Sequence, residues 1–245
     1  MYPRAWFDTY WRGSLKMEVF IAMSFAEEFN PVWKHAIVPA IQEDLEGGKR
    51  YLAHRVDTTT LSGSIVTEIF DGVAHAKLVF ADISVMPTGP CAGQRNGNVM
   101  YEVGLATAIR PETDIVIVKS DDEDINFDLL QIRVFKYPKN DPHESRKRFA
   151  GLLSGALKAR ENAKSLLTQY TWSLLDADCL GLMHENRNAT RFGLPMETPF
   201  ERRLAVRRLL ELNIVRCEYH GGTSYSYAWT DFGKAVLSNP NIVQI

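Results

Sequence analysis

From residue 17 onward, short apolar runs alternate with longer segments in which apolar positions recur every three or four residues. The run "MEVFIAMSF" (17–25) is apolar and β-branched, which predicts a buried parallel strand. "PVWKHAIVPAIQEDLEGG" (31–48) predicts a helix with Val32, Ala36, Ile37, Ala40 and Ile41 on its apolar face, bent at Pro39 and ended by Gly47-Gly48. "RYLAHRVD" (50–57) alternates and predicts a second, less buried strand. A helix over 62–76 follows from a serine cap, then a third strand, "KLVFADIS" (77–84), with Asp82 at its carboxyl end. After a Gly- and Pro-rich loop (84–97), a helix is expected over 98–110, a fourth strand over 113–121 and a fifth, edge strand over 132–137. Strands alternating with helices in this way specify an α/β fold with a doubly wound parallel sheet.

The rhythm changes in the last third. Helices are expected over 143–164, 165–186 and 198–215, then a hairpin over 216–230 around Gly221-Gly222 and a short closing helix, "DFGKAVLSN". Helices followed by a two-stranded wing resemble a winged-helix module. The expected organisation is therefore an aromatic N-terminal segment (1–16), an α/β domain (17–160) and a small winged-helix-like domain (165–245). Trp6, Phe7, Tyr10 and Trp11 in the first segment suit packing better than a cofactor box.

Composition narrows the function classes. The chain has 245 residues, a net charge of −2 and 45% hydrophobic residues, an ordinary globular balance without the basic surplus of a nucleic-acid binder. Residues 160–245 hold ten Lys/Arg against nine Asp/Glu, so the arginines of "ERRLAVRRLL" are the only feature favouring DNA. Protein contact or self-association suits that module better. Cys91, Cys179 and Cys217 form no CxxC pair, and no run reaches membrane-span length. A cytoplasmic protein with no metal or cofactor is expected.

Ligands of open α/β sheets bind outside the carboxyl ends of the strands, near the point where strand order reverses. That rule selects Ser24 and Phe25 after strand one, Asp57 after strand two, Asp82 after strand three, and the segment leading to Asn98 and Glu102. The stretch "NGNVMYEVGLA" (96–106) has two readings. Asn98 caps a helix and Glu102 sits near its positive end, or the two, spaced i and i+4, present an amide and a carboxylate to a cleft. In the second reading Glu102 suits cleavage of an N-glycosidic bond, because a carboxylate beneath C1′ stabilises the developing cation or attacks it. Asp82 would hold sugar hydroxyls or handle a proton. Ser24, Asn98 and Arg95 would contact ribose or phosphate oxygens. The absence of GxGxxG, GxxxxGK[ST] and GxSxG disfavours dinucleotide-fold, P-loop and serine-hydrolase chemistry.

Taken together, "VFIAMSF", "ADIS", "NGNVMYEVGLATAIR", "DIVIVKSD" and "NFDLLQIRVFKY" resemble the nucleoside 2-deoxyribosyltransferase-like group, which shades into bacterial TIR-like domains. The resemblance covers residues 17–140. It implies a flavodoxin-like sheet and an N-glycosidase acting on a nucleotide or NAD-like substrate. Glu102 would be the catalytic glutamate, with Asp82 and Asn98 in the corresponding motif positions. Tyr101 would join the substrate-binding set, and Met23 to Phe25 would flank the base. The chain departs from the group near the end of strand one, where Ala22-Met23-Ser24-Phe25 replaces the polar residue its transferases often carry. The appended module resembles the regulatory parts of multidomain defence effectors, which implies a homo-oligomer or a regulatory protein partner. A nucleotide sensor coupled to that module and a DNA-binding regulator are the alternatives.

Overall fold

The computed structural model describes residues 15–45, 51–56, 65–125, 133–195, 197–221 and 224–238. The aromatic segment expected over 1–16 lies almost wholly outside them, as does Asp57. The chain divides into two compact units, with the boundary between Arg160 and Glu161.

The first unit is built on strands β1 (Lys16–Ala22), β2 (Leu52–His54), β3 (Ala76–Asp82), β4 (Ile115–Lys119) and β5 (Val134–Lys136). They form one wholly parallel sheet in the order β2-β1-β3-β4-β5. This is a doubly wound α/β sheet of flavodoxin-like order, and its strand order reverses between β1 and β3. Alternate residues feed two cores. Val19, Ile21, Leu78, Phe80, Val116 and Val118 face one side, where helix α1 (30–42) and Phe149 and Leu153 pack. Phe20, Ala22, Val79, Ala81 and Ile117 face the other, beneath helices α2 (Ile65–His75) and α3 (Gly97–Ile109). Burial on both faces is why β1, β3 and β4 read as continuous apolar runs. β2 pairs along one side only and carries an exposed Leu52, which explains its alternating pattern.

Proline shapes α1. An α-helical turn over Asn30–Val32 widens into a π-helical stretch over Trp33–Ile37 and returns to α over Val38–Gln42. Pro39 has no N–H to give and its ring crowds the carbonyl four residues back, so the turn before it widens where a bend was expected. On α2, Gly72 is required by close approach: a Cβ there would lie 2.3 Å from the Phe20 ring.

Helix α4 (Pro142–Ser173) is a single helix of 32 residues. This corrects the expectation of separate helices over 143–164 and 165–186. No Gly or Pro interrupts 156–173, and the real break comes at Asp176, whose side chain accepts from the Cys179 N–H to cap helix α5 (Ala177–Asn186).

The second unit holds the C-terminal part of α4 (161–173), α5, strand β6 (Arg191–Phe192), helix α6 (Phe200–Glu211), strands β7 (Val215–Gly221) and β8 (Ser224–Trp229), and helix α7 (Asp231–Leu237). Its antiparallel sheet runs β6-β8-β7, a winged-helix-like arrangement. α7 is capped by Thr230, which accepts from the Gly233 N–H, and it packs so closely that a Cβ on Gly233 would meet the Ile214 carbonyl. No helix among the described residues is long and apolar enough to cross a membrane.

Candidate active site

The carboxyl ends of β1 and β3 flank the reversal of strand order, and the side chains there divide into an anchored set and an available set. Asp82, the last residue of β3, belongs to the first. It is 3% exposed, and its Oδ1 accepts from the Ser84 N–H (3.0 Å) and hydroxyl (2.6 Å) while its Oδ2 accepts from the Tyr137 hydroxyl (2.5 Å). The Ser84 oxygen in turn accepts from the Ser120 N–H (2.8 Å) and hydroxyl (2.9 Å). Burial pushes the Asp82 carboxyl up from its ordinary range, and the Ser84 and Tyr137 donors offset part of that shift. Both oxygens are thus engaged in a network that ties β3 to the exits of β4 and β5. Asp82 is placed to hold the site's shape rather than a ligand hydroxyl.

Arg95 is anchored too. Its guanidinium donates to the carbonyls of Ile83 (2.5 Å), Glu123 (3.0 Å) and Asp124 (3.1 Å) and pairs with Asp121 at 3.4 Å, leaving the side chain 7% exposed. The expected phosphate contact gives way to a clamp between the loop after β3 and the segment after β4. The Val85 N–H strengthens that clamp by donating to Asp121 (2.9 Å), and bridges between Val85 and Arg95 and between Met86 and Ala92 keep the loop compact.

The available set lies on α3. Asn96, not Asn98, caps this helix, its side chain accepting from the N–H groups of Asn98 (2.9 Å) and Val99 (3.4 Å). An Asx cap two residues before Asn98 leaves the Asn98 side chain exposed in the first turn. Val99, Val103 and Ala106 face the core, so Asn98, Tyr101, Glu102 and Leu105 share the neighbouring stripe. Tyr101 is 54% exposed. Glu102 is half-buried, and no hydrogen bond or ion pair reaches it among the described residues. Burial alone pushes its carboxyl up to about 7. A carboxyl in this state exchanges its proton at neutral pH and is not committed to any neighbour.

At the exit of β1, Met23 is buried in the core and Ser24 accepts from the Ala26 N–H (3.2 Å) in a tight turn, so neither lies open to a base. Phe25 is 49% exposed. The Arg55 guanidinium carbon lies 4.8 Å from its ring centroid and 4.5 Å from that of Trp33. At the exit of β5, the Lys139 ammonium lies 3.9 Å from the Phe29 ring centroid.

Sequence reasoning selected Glu102, Asn98, Tyr101 and Phe25 correctly as surface-accessible groups but missed Tyr137, Ser84 and Ser120, which hold Asp82, and Arg55 and Trp33, which hold Phe25. Their common signal is position: Ser84, Arg55, Ser120 and Tyr137 each fall within two residues of a strand's carboxyl end. No family model matches the chain, and no curated protein matches it either. Among solved structures, a metal-soaked flavodiiron core, Flv1 from Synechocystis sp. PCC6803, is similar over 65% of this chain at 12% identity and a TM-score of 0.39. The likeness covers 39% of that protein's chain and carries no functional inference.

Proposed function

We propose that the first unit is an N-glycosidase that cleaves the bond between base and ribose in a nucleotide or NAD-like substrate, with Glu102 as the catalytic carboxylate. One observation carries this reading. Glu102 is a half-buried carboxyl without a partner, raised to about 7 by burial, on a helix at the carboxyl edge of a parallel sheet. A structural carboxylate normally acquires a cation or hydrogen-bond donors when it loses water. One kept without them is suited to meet positive charge that appears only during a reaction. As the C1′–N bond breaks, its electron pair leaves with the base and C1′ becomes cationic. Ionised Glu102 stabilises or captures that carbon, and water then supplies the hydroxyl that completes hydrolysis. The exposed Asn98 amide, one turn earlier on the same stripe, is placed to bind ribose hydroxyls. The resemblance of residues 17–140 to the nucleoside 2-deoxyribosyltransferase-like and TIR-like group points the same way.

The test is a substrate panel. NAD, nucleosides and nucleoside mono- to triphosphates are incubated with the full chain and separated chromatographically for free base. Release of base from at least one of them supports the reading, and intact substrates throughout would refute it.

A further inference from the structure

Arg55, Phe25 and Trp33 form a cluster that the proposed reaction does not use. β1 and β2 pair in parallel, with Val19 opposite Ala53 and Phe20 opposite His54, so both strands deliver the chain to the same edge of the sheet. Arg55 is the first residue after β2, Phe25 lies three residues beyond β1, and Trp33 stands early in α1. Their cation–π contacts, at 4.8 and 4.5 Å, bring three separate segments onto one guanidinium.

We infer that Arg55, oriented by Phe25 and Trp33, recognises the phosphate of the ligand, so that the substrate class is a 5′-phosphorylated nucleotide or dinucleotide and not a free nucleoside. This rests on the proposed N-glycosidase reading for the rest of the substrate. The placement carries it. Ligands of doubly wound sheets bind at this edge, and a guanidinium is the planar fork that matches phosphate oxygens two at a time. Contact with two aromatic faces limits the side chain's rotation, so the fork is oriented before a ligand arrives. The other arginine expected to serve phosphate, Arg95, has its guanidinium engaged by Ile83, Asp121, Glu123 and Asp124. Phe25, half exposed, leaves a ring face or edge beside the guanidinium for the rest of the ligand.

The experiment reads binding, not turnover. The full chain carrying Glu102→Gln, which keeps substrates intact, is titrated calorimetrically with adenosine, guanosine, cytidine and thymidine, their 5′-monophosphates, and NAD. At least one monophosphate is expected to bind about tenfold or more tighter than its nucleoside, as a charge-assisted bidentate contact provides. Adding Arg55→Met, whose unbranched stem still packs on both rings, removes most of that preference and leaves nucleoside affinity within about twofold. Arg55→Lys keeps the charge without the fork and falls between the two. Equal affinity for nucleoside and monophosphate overturns the inference. So does a preference that survives Arg55→Met, a Met variant that weakens both ligands alike, or a panel that does not bind at all. Phosphate-dependent binding by a wild-type chain that releases no base would sink the N-glycosidase reading alone.

Discussion

The Tyr137 hydroxyl donates to the Asp82 carboxylate across 2.5 Å, joining the end of β3 to the residue that follows β5. The same Tyr137 ring packs edge-on against Phe149 at 5.0 Å, so the contact couples the polar edge of the sheet to the core beneath it. Tyr137→Phe keeps the ring and removes only the donor. A buried carboxylate that loses a donor costs about 1–3 kcal/mol, and urea unfolding should show a loss in that range. An unchanged midpoint would mean that Asp82 is held by Ser84 alone.

Glu102 predicts a stability change with a definite sign. Its ordinary value is 4.5 and its value in the fold is about 7, so the folded state retains the proton over a range where the unfolded chain has lost it. Ionising Glu102 therefore lowers stability progressively as pH rises from about 4.5 through about 7. Glu102→Gln escapes that loss. The variant should exceed the wild type by about 1–2 kcal/mol at pH 8, after discounting a full shift for the carboxyl's partial exposure, with no such advantage at pH 4. Melting curves at the two pH values check this, and a difference independent of pH would contradict it.

At the opposite, amino end of the sheet, Asp114 pairs with both Arg110 (3.0 Å) and Arg160, all three being 3% exposed or less. Asp114→Asn leaves two buried guanidinium groups without a carboxylate. A loss of about 3–5 kcal/mol is expected in chemical denaturation, as for other buried pairs broken on one side. Ligand affinity under native conditions should not change, because the triad lies at the start of β4 and the candidate site at the strands' carboxyl ends.

The arginines of α6 bear on the DNA alternative. Arg202 pairs with Glu185, Arg207 with Glu211 at 3.0 Å, and Arg203 donates to the Thr198 carbonyl at 3.0 Å. Side chains so engaged release few counterions. Duplex DNA should bind the full chain no tighter than the non-specific range, roughly 10⁻⁴ to 10⁻⁶ M at physiological salt. Nanomolar, steeply salt-dependent binding lost in Arg203→Glu/Arg207→Glu would reverse that reading.

The central strands were legible because burial on both faces leaves an unbroken apolar run, as in β1, β3 and β4. The parallel sheet and the wing followed from the order and spacing of such runs. What the residue pattern hid were relations between distant segments. No local signal told that Asp82 would meet Tyr137, or that Arg95 would turn back to the Ile83 carbonyl and across to Asp121. The Asn96 cap was missed because Asn96 and Asn98 are equally good capping residues two positions apart, and only backbone geometry chooses between them. The end of the 142–173 helix was misplaced for a related reason: a change in the kind of pattern was taken as a break, where the chain itself carries no breaker before Asp176. Glu102 was legible as a candidate because a carboxylate interrupting an apolar stripe stands out in sequence, whereas its lack of a partner is a property of the fold.

The most direct test of the account is the rate of base release by Glu102→Gln relative to wild type, under single-turnover conditions, on whichever nucleotide the panel identifies. Gln keeps the size of the side chain and removes the negative charge that meets the developing cation. The account predicts a rate loss of about 10² or more with nucleotide affinity largely retained. Release at the wild-type rate by a folded Glu102→Gln variant would contradict it.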